Sequence, residues 1–158
     1  MSSHPLIKAA QVAVMEIESH DFARAELYPS KLFQSLAHLF LEFVKTEIPS
    51  SEELDNDYQI IDVDGALPQI SENFFCFTLF EPMEEGSVVG TTLRDNLEAV
   101  YRPLKSGLRS FEQNPEKCAE IIAEWKDEFE WHTGRHLIDV IRYLFLSRPK
   151  PIAVQANL

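Results

Sequence analysis

Cysteine is nearly absent from this chain. Cys76 in FFCFTLF and Cys118 in EKCAEII are the only two. Each has apolar neighbours, and the pair lacks the dense, even spacing of a disulfide-stapled secreted domain. Both are expected to be buried free thiols in a reducing compartment. Glycine is scarce too, with five in 158 residues. There is no Gly-rich phosphate loop, no CxxC pair and no Gly-x-Ser-x-Gly elbow, so the usual signatures of nucleotide binding and serine hydrolysis are missing. Apolar runs are only a few residues long, far short of the roughly 20 needed to cross a bilayer. The opening MSSHPLIKAAQVAVMEIESH has no charged region ahead of an apolar stretch and is interrupted by Lys8, Gln11 and Glu16. It is not a signal peptide, and a cytoplasmic location is expected.

Positive charge is the next shortage. Fourteen Lys and Arg face 26 Asp and Glu, for a formal net charge of −12. That balance argues against nucleic acid and against anionic membranes as partners, because both are held by clustered cations. From Thr46 to Leu93 there is no Lys or Arg at all, while eleven acids lie between Glu47 and Glu85. Most of the excess negative charge sits in this segment of about 46–92.

What the chain does have is material for a core. Hydrophobic residues make up 45%, and eleven are Phe, which suits a packed globule able to bury roughly two thirds of its unfolded surface. The expected fold is all-α: one domain over 1–158, a bundle of four to five helices with an acidic, turn-rich middle and a tail over about 147–158. Leu6, Ile7, Ala10, Val14 and Ile17 recur at helical steps behind Pro5 and end near Ser19. Ser30 can cap a second helix with Leu32, Phe33, Leu36, Leu39, Phe40 and Phe43 on one side, ending before Pro49. His38 lies among these residues and suits a core or boundary position.

In the acidic segment, Asp62-Val63-Asp64-Gly65 suits a turn. A calcium loop fails on register, since with Gly65 at the sixth position Ile60 and Ser71 fall where an acid and a Glu are needed. The all-round apolar SENFFCFTLFEP is ambiguous between helix and strand, and helix is the expectation taken. Turns are expected at Gly86 and Gly90. Thr92 and Asp95 form a capping-box pattern opening TLRDNLEAVYRPLKSGLRSFEQ. Its stripe is Leu97, Val100, Tyr101, Leu104, Leu108 and Phe111, and Pro103 should kink it near residues 99–102 without ending it. Arg102, Lys105 and Arg109 form a solvated face that could meet the acidic segment. Asn114-Pro115 opens the last and longest helix, running to about Leu146.

The blocks GSVVGTTLRDNLEAVYRPLKSGL and EWKDEFEWHTGRHLIDVIRYL resemble a bacterial family known as domain of unknown function 5063, over about residues 80–147. That family pairs an Asp-rich LADDLADIY-x-x-L helix with a final helix of the form W-x-x-x-F-x-x-HWGRH-x-x-x-AL. Asp95, Leu97, Tyr101 and Leu104 fall on the first pattern. Trp125, Phe129, His132, Gly134, Arg135 and His136 fall on the second. Thr133 stands where the family has Trp, and Asn96 replaces an acid. The resemblance implies a helical bundle and no particular activity.

One constellation has ligand-type spacing: Glu128, His132 and His136 on successive helical turns, which with a further ligand could hold a transition metal in a bundle core. The competing expectation is structural. At ~100° per residue both histidines share their direction with Trp125, Phe129 and Tyr143 on the apolar stripe, so hydrogen-bonded core histidines explain them equally well. Asp95, Tyr101, Trp125, Arg135 and Asp139 are candidates for the polar part of that core. In LIDVIRYLFL the apolar residues point in almost every direction, so this end of the helix should be central to the bundle or covered by another subunit or partner. The expected function is therefore a non-catalytic protein that binds a protein partner or itself through this apolar helix or the acidic segment, with no cofactor. A metal-dependent enzyme built on Glu128, His132 and His136 is the alternative.

Overall fold

The computed structural model describes residues 4–20, 22, 29–49, 54–55, 58–61, 67, 75–79 and 88–148, with 75–79 and 88–90 described by their backbone alone. Helix α1 spans Pro5–Ser19, and the ring of His4 accepts the Leu6 amide at 3.2 Å. Helix α2 spans Ser30–Lys45. Ser30 is its first residue and not its cap, a place taken by Pro29 without a side-chain bond. At its other end both the amide and the hydroxyl of Thr46 donate to the Glu42 carbonyl, which closes the helix before Pro49.

The expectation of a helix over residues 74–80 is wrong. Strand β1, Phe75–Leu79, pairs antiparallel with β2, Val88–Thr92, in register from Phe75 opposite Thr92 to Leu79 opposite Val88. Val88, Val89, Thr91 and Thr92 are β-branched and favour the extended chain, so the apolar run gains a strand partner. Gly90 accordingly lies within β2, opposite Phe77, and not in a turn. The proposed turns at Asp62–Gly65 and Gly86, and the side chain of Cys76, lie outside the described residues.

Helix α3, Leu93–Gln113, follows β2 directly through a complete capping box: the Thr92 hydroxyl accepts the Asp95 amide at 3.0 Å, and the Asp95 carboxylate accepts the Thr92 amide at 3.2 Å. It continues through Pro103 without a break. A 3-10 turn, Pro115–Lys117, leads into α4, Cys118–Glu128, then a π segment, Phe129–Thr133, then α5, Gly134–Ser147. This is the long final helix expected, but interrupted by the π segment. There the Gly134 amide donates to the Phe129 carbonyl five residues back, the wider spacing that defines a π turn. A β-carbon on Gly134 would fall onto that same carbonyl.

The helices enclose one core. Leu6, Ile17, Leu36, Leu39, Leu97, Leu104, Ile121 and Leu137 are fully buried, drawn from all five helices. Trp125 is buried against Gly107, where any β-carbon would strike the indole, and its ring N–H donates to the Pro103 carbonyl at 2.9 Å. Lys126 is also buried, and its ammonium donates to the Phe43 carbonyl at 2.9 Å, a cation at the carbonyl end of α2. Residues 55 and 61 of the acidic segment meet α3, the 3-10 turn and α4: the Ile61 amide donates to the Ser110 hydroxyl, Asp55 pairs with Lys117 at 2.7 Å, and the Asp55 amide donates to the Glu120 carboxylate. No helix among the described residues is long and apolar enough to cross a membrane.

Candidate functional site

A polar cluster gathers where α3 begins and α5 begins. Asn96 is fully buried one turn into α3, and its amide nitrogen donates to the Thr92 carbonyl at 3.0 Å. That fixes the amide so that its oxygen faces His136, 2.7 Å from the ring Nδ1. An amide oxygen only accepts, so Nδ1 carries the proton and Nε2 of the neutral ring keeps its lone pair. Burial holds the His136 pKa below the usual imidazole value. The adjacent His132 ring and Arg135 push the same way, against the weaker pull of Asp139 and Asp95. The two rings meet edge to face with centroids 4.6 Å apart.

His132 itself is exposed. The expectation that it shares the buried stripe with Trp125 fails because the π segment widens the turn and shifts the register ahead of α5. It lines a shallow surface cleft of about 350 Å³ with Asp95, Glu98, Arg102 and Glu128. Glu128 and His132 thus share a wall, with His136 behind. Among the described residues no group of three or more His, Cys, Asp or Glu is arranged to hold a metal ion.

The other candidates are dispersed. Asp95, which also lines that cleft, commits one carboxylate oxygen to its capping box, and Trp125 donates to the Pro103 carbonyl. The Tyr101 hydroxyl donates to Glu18 at 2.7 Å, and Lys105 pairs with the same carboxylate at 2.6 Å, tying α3 to α1. Burial, then the Glu18 hydrogen bond and charge, push the Tyr101 phenol up to about 12. Burial raises the Glu18 carboxyl, but the hydrogen bonds from Lys105 and Tyr101 and the charge of Lys105 outweigh it and leave the pKa lowered. Lys105 therefore meets α1. Arg135 is exposed on α5, whereas Asp139 is buried there with its Oδ2 lacking a hydrogen-bond partner. Cys118 is a free thiol, half-buried, and His38 is exposed instead of lying in the core.

A second feature lies across the molecule, along α2 and α5. Phe33 meets Phe145 with ring centroids 6.3 Å apart, and Phe43 stacks on Phe129 at 4.5 Å. The two helices therefore run antiparallel. Leu36, Leu39, Leu137, Val140 and Leu144 turn into the core. Outward, Leu41 is 48% and Val44 58% exposed on α2, and Ile138 is 49% exposed on α5. Trp131, in the π segment just before α5, is 73% exposed. The all-round apolar helix end is thus half core and half surface.

A family model described as Domain of unknown function (DUF5063) matches residues 35–148. That range holds α3, α4, the π segment, α5 and most of α2. No curated protein and no solved structure matches the chain.

Proposed function

We propose that the chain, which belongs to the DUF5063 family, is a non-catalytic cytoplasmic protein that binds another protein through the outward face of α2 and α5. One observation supports this reading above the others: Leu41, Val44, Ile138, Phe145 and Trp131 are large apolar side chains left at the surface around one helix pair. Singly exposed apolar residues are ordinary, but several gathered along one seam are characteristic of an interaction surface, and Trp is the residue type most enriched among those that dominate binding. The polar cluster supports a structural role for Asn96, whose amide is engaged on one side by the Thr92 carbonyl and on the other by His136. The test is capture from native lysate with wild type and with the Leu41→Lys, Ile138→Lys double variant, both checked for unchanged helicity. A protein retained by wild type at near-stoichiometric yield and lost from the variant is expected; identical capture by both would reject the reading.

The second reading, a metal-dependent enzyme using Glu128, His132 and His136, is favoured by the 4.6 Å pairing of the two rings beside a cleft that Glu128 also lines. Metal analysis of untagged protein decides it. Stoichiometric zinc or iron, lost on His132→Ala and with a melting temperature lowered by chelation, would put this reading first.

A further inference from the structure

Basic residues border the apolar seam between α2 and α5. Helix positions seven apart nearly superimpose, at ~100° per residue. Lys31, His38 and Lys45 therefore form one exposed row on α2, beyond Leu41 on the side away from α5. Arg135 and Arg142 form the matching exposed row on α5, beyond Ile138 on the side away from α2. Acids are almost missing from both helices. Glu42 is the only one on α2 and is paired with Lys45 at 3.1 Å, and Asp139 is the only one on α5 and is buried. A chain with a net charge of −12 thus sets Lys31 on one side of its exposed apolar strip, with Lys45 paired to Glu42, and Arg135 and Arg142 on the other.

From this geometry we propose that the α2–α5 seam docks an amphipathic helix whose apolar stripe is flanked on both sides by Glu or Asp. The inference rests on the binding reading above and names the chemistry of its partner. A helix suits the seam because a groove between two antiparallel helices accepts the ridge of a third, and a helix satisfies its own backbone groups. The apolar stripe covers Leu41 and Ile138, while its acidic flanks meet the two basic rows. Charge also discriminates. The whole chain repels an acidic peptide and attracts a basic one, so only the local rim can favour the acidic helix.

The experiment uses the full chain and two labelled synthetic helices of about five turns with the same Leu stripe, one flanked by Glu and one by Lys. Fluorescence anisotropy at low and high salt reads their affinities. The Glu-flanked helix is expected to bind at least tenfold more tightly, with the gap shrinking as salt rises and closing on the Lys31→Glu, Arg142→Glu double variant. Equal or tighter binding of the Lys-flanked helix would overturn the proposal. So would failure of both helices to bind while the chain associates with itself or another protein through Leu41 and Ile138; the binding reading would then survive without the acidic partner. If Leu41→Lys and Ile138→Lys change no association of any kind, the binding reading itself fails, and the inference with it.

Discussion

At the scale of single residues the polar groups are organised around a few fixed protons. Asn96 accepts a hydrogen bond from His136 and donates one to the Thr92 carbonyl, so Asn96→Ala leaves the ring N–H without its acceptor and should cost about 1–3 kcal/mol in denaturant unfolding. The His136 pKa is lowered by folding, so its contribution to stability is present above the ordinary value of 6.5 and is lost as pH falls through the lower folded value. Asn96→Asp places a carboxylate 2.7 Å from the ring. The His136 pKa should rise, and the sign reverses, with stabilisation now lost as pH increases through the new value. An NMR titration of the His136 ring in both proteins checks this, and an unmoved midpoint in the variant contradicts it. Tyr101 behaves as a raised acid: its contribution is complete below pH 10 and is lost as pH climbs towards about 12, a loss that Tyr101→Phe should remove from the alkaline unfolding curve. The sequence marks Tyr101 as a polar core candidate and His136 as either a core histidine or a metal ligand, because their spacing puts them on apolar stripes. Their partners, Glu18 and Asn96, are 83 and 40 residues away, beyond the reach of any local pattern.

At the scale of elements, helices announced by caps and stripes were legible, and their irregularities were not. Thr92 and Asp95 stand where the patterns placed them, whereas Pro115 opens a 3-10 turn and the α-helix begins only at Cys118. The capping box should be worth about 1 kcal/mol, read from the melting of Thr92→Ala. The π segment left no trace in periodicity because one widened turn only displaces the phase that follows it. Its signature is Gly134, whose missing side chain lets the chain close on the Phe129 carbonyl. Gly134→Ala should cost about 1–3 kcal/mol through overpacking or force the turn back to α spacing. An undiminished midpoint in urea would show that the π turn does not need glycine. Residues 75–79 were misjudged for a different reason. An apolar run of that length has no decisive period, and what settles it is a partner strand nine residues further on.

At the scale of the whole molecule, charge and apolar surface are distributed unevenly. Asp55 and Ile61 of the acidic segment are anchored to Lys117 in the 3-10 turn and to Ser110 on α3, and the basic residues of α2 and α5 border the exposed apolar seam. The sequence signalled that seam only as an excess, since LIDVIRYLFL has more apolar directions than one bundle can bury. Which half faces outward depends on how α5 meets α2 and α3, a tertiary choice. A protein that covers this seam in the cell should be trapped by photo-crosslinking from it. With a photoreactive residue at Ile138, and in a control at the exposed Glu112 on α3, a discrete protein adduct is expected from Ile138 and none from Glu112. No adduct from Ile138, or the same adducts from both positions, would contradict the binding reading.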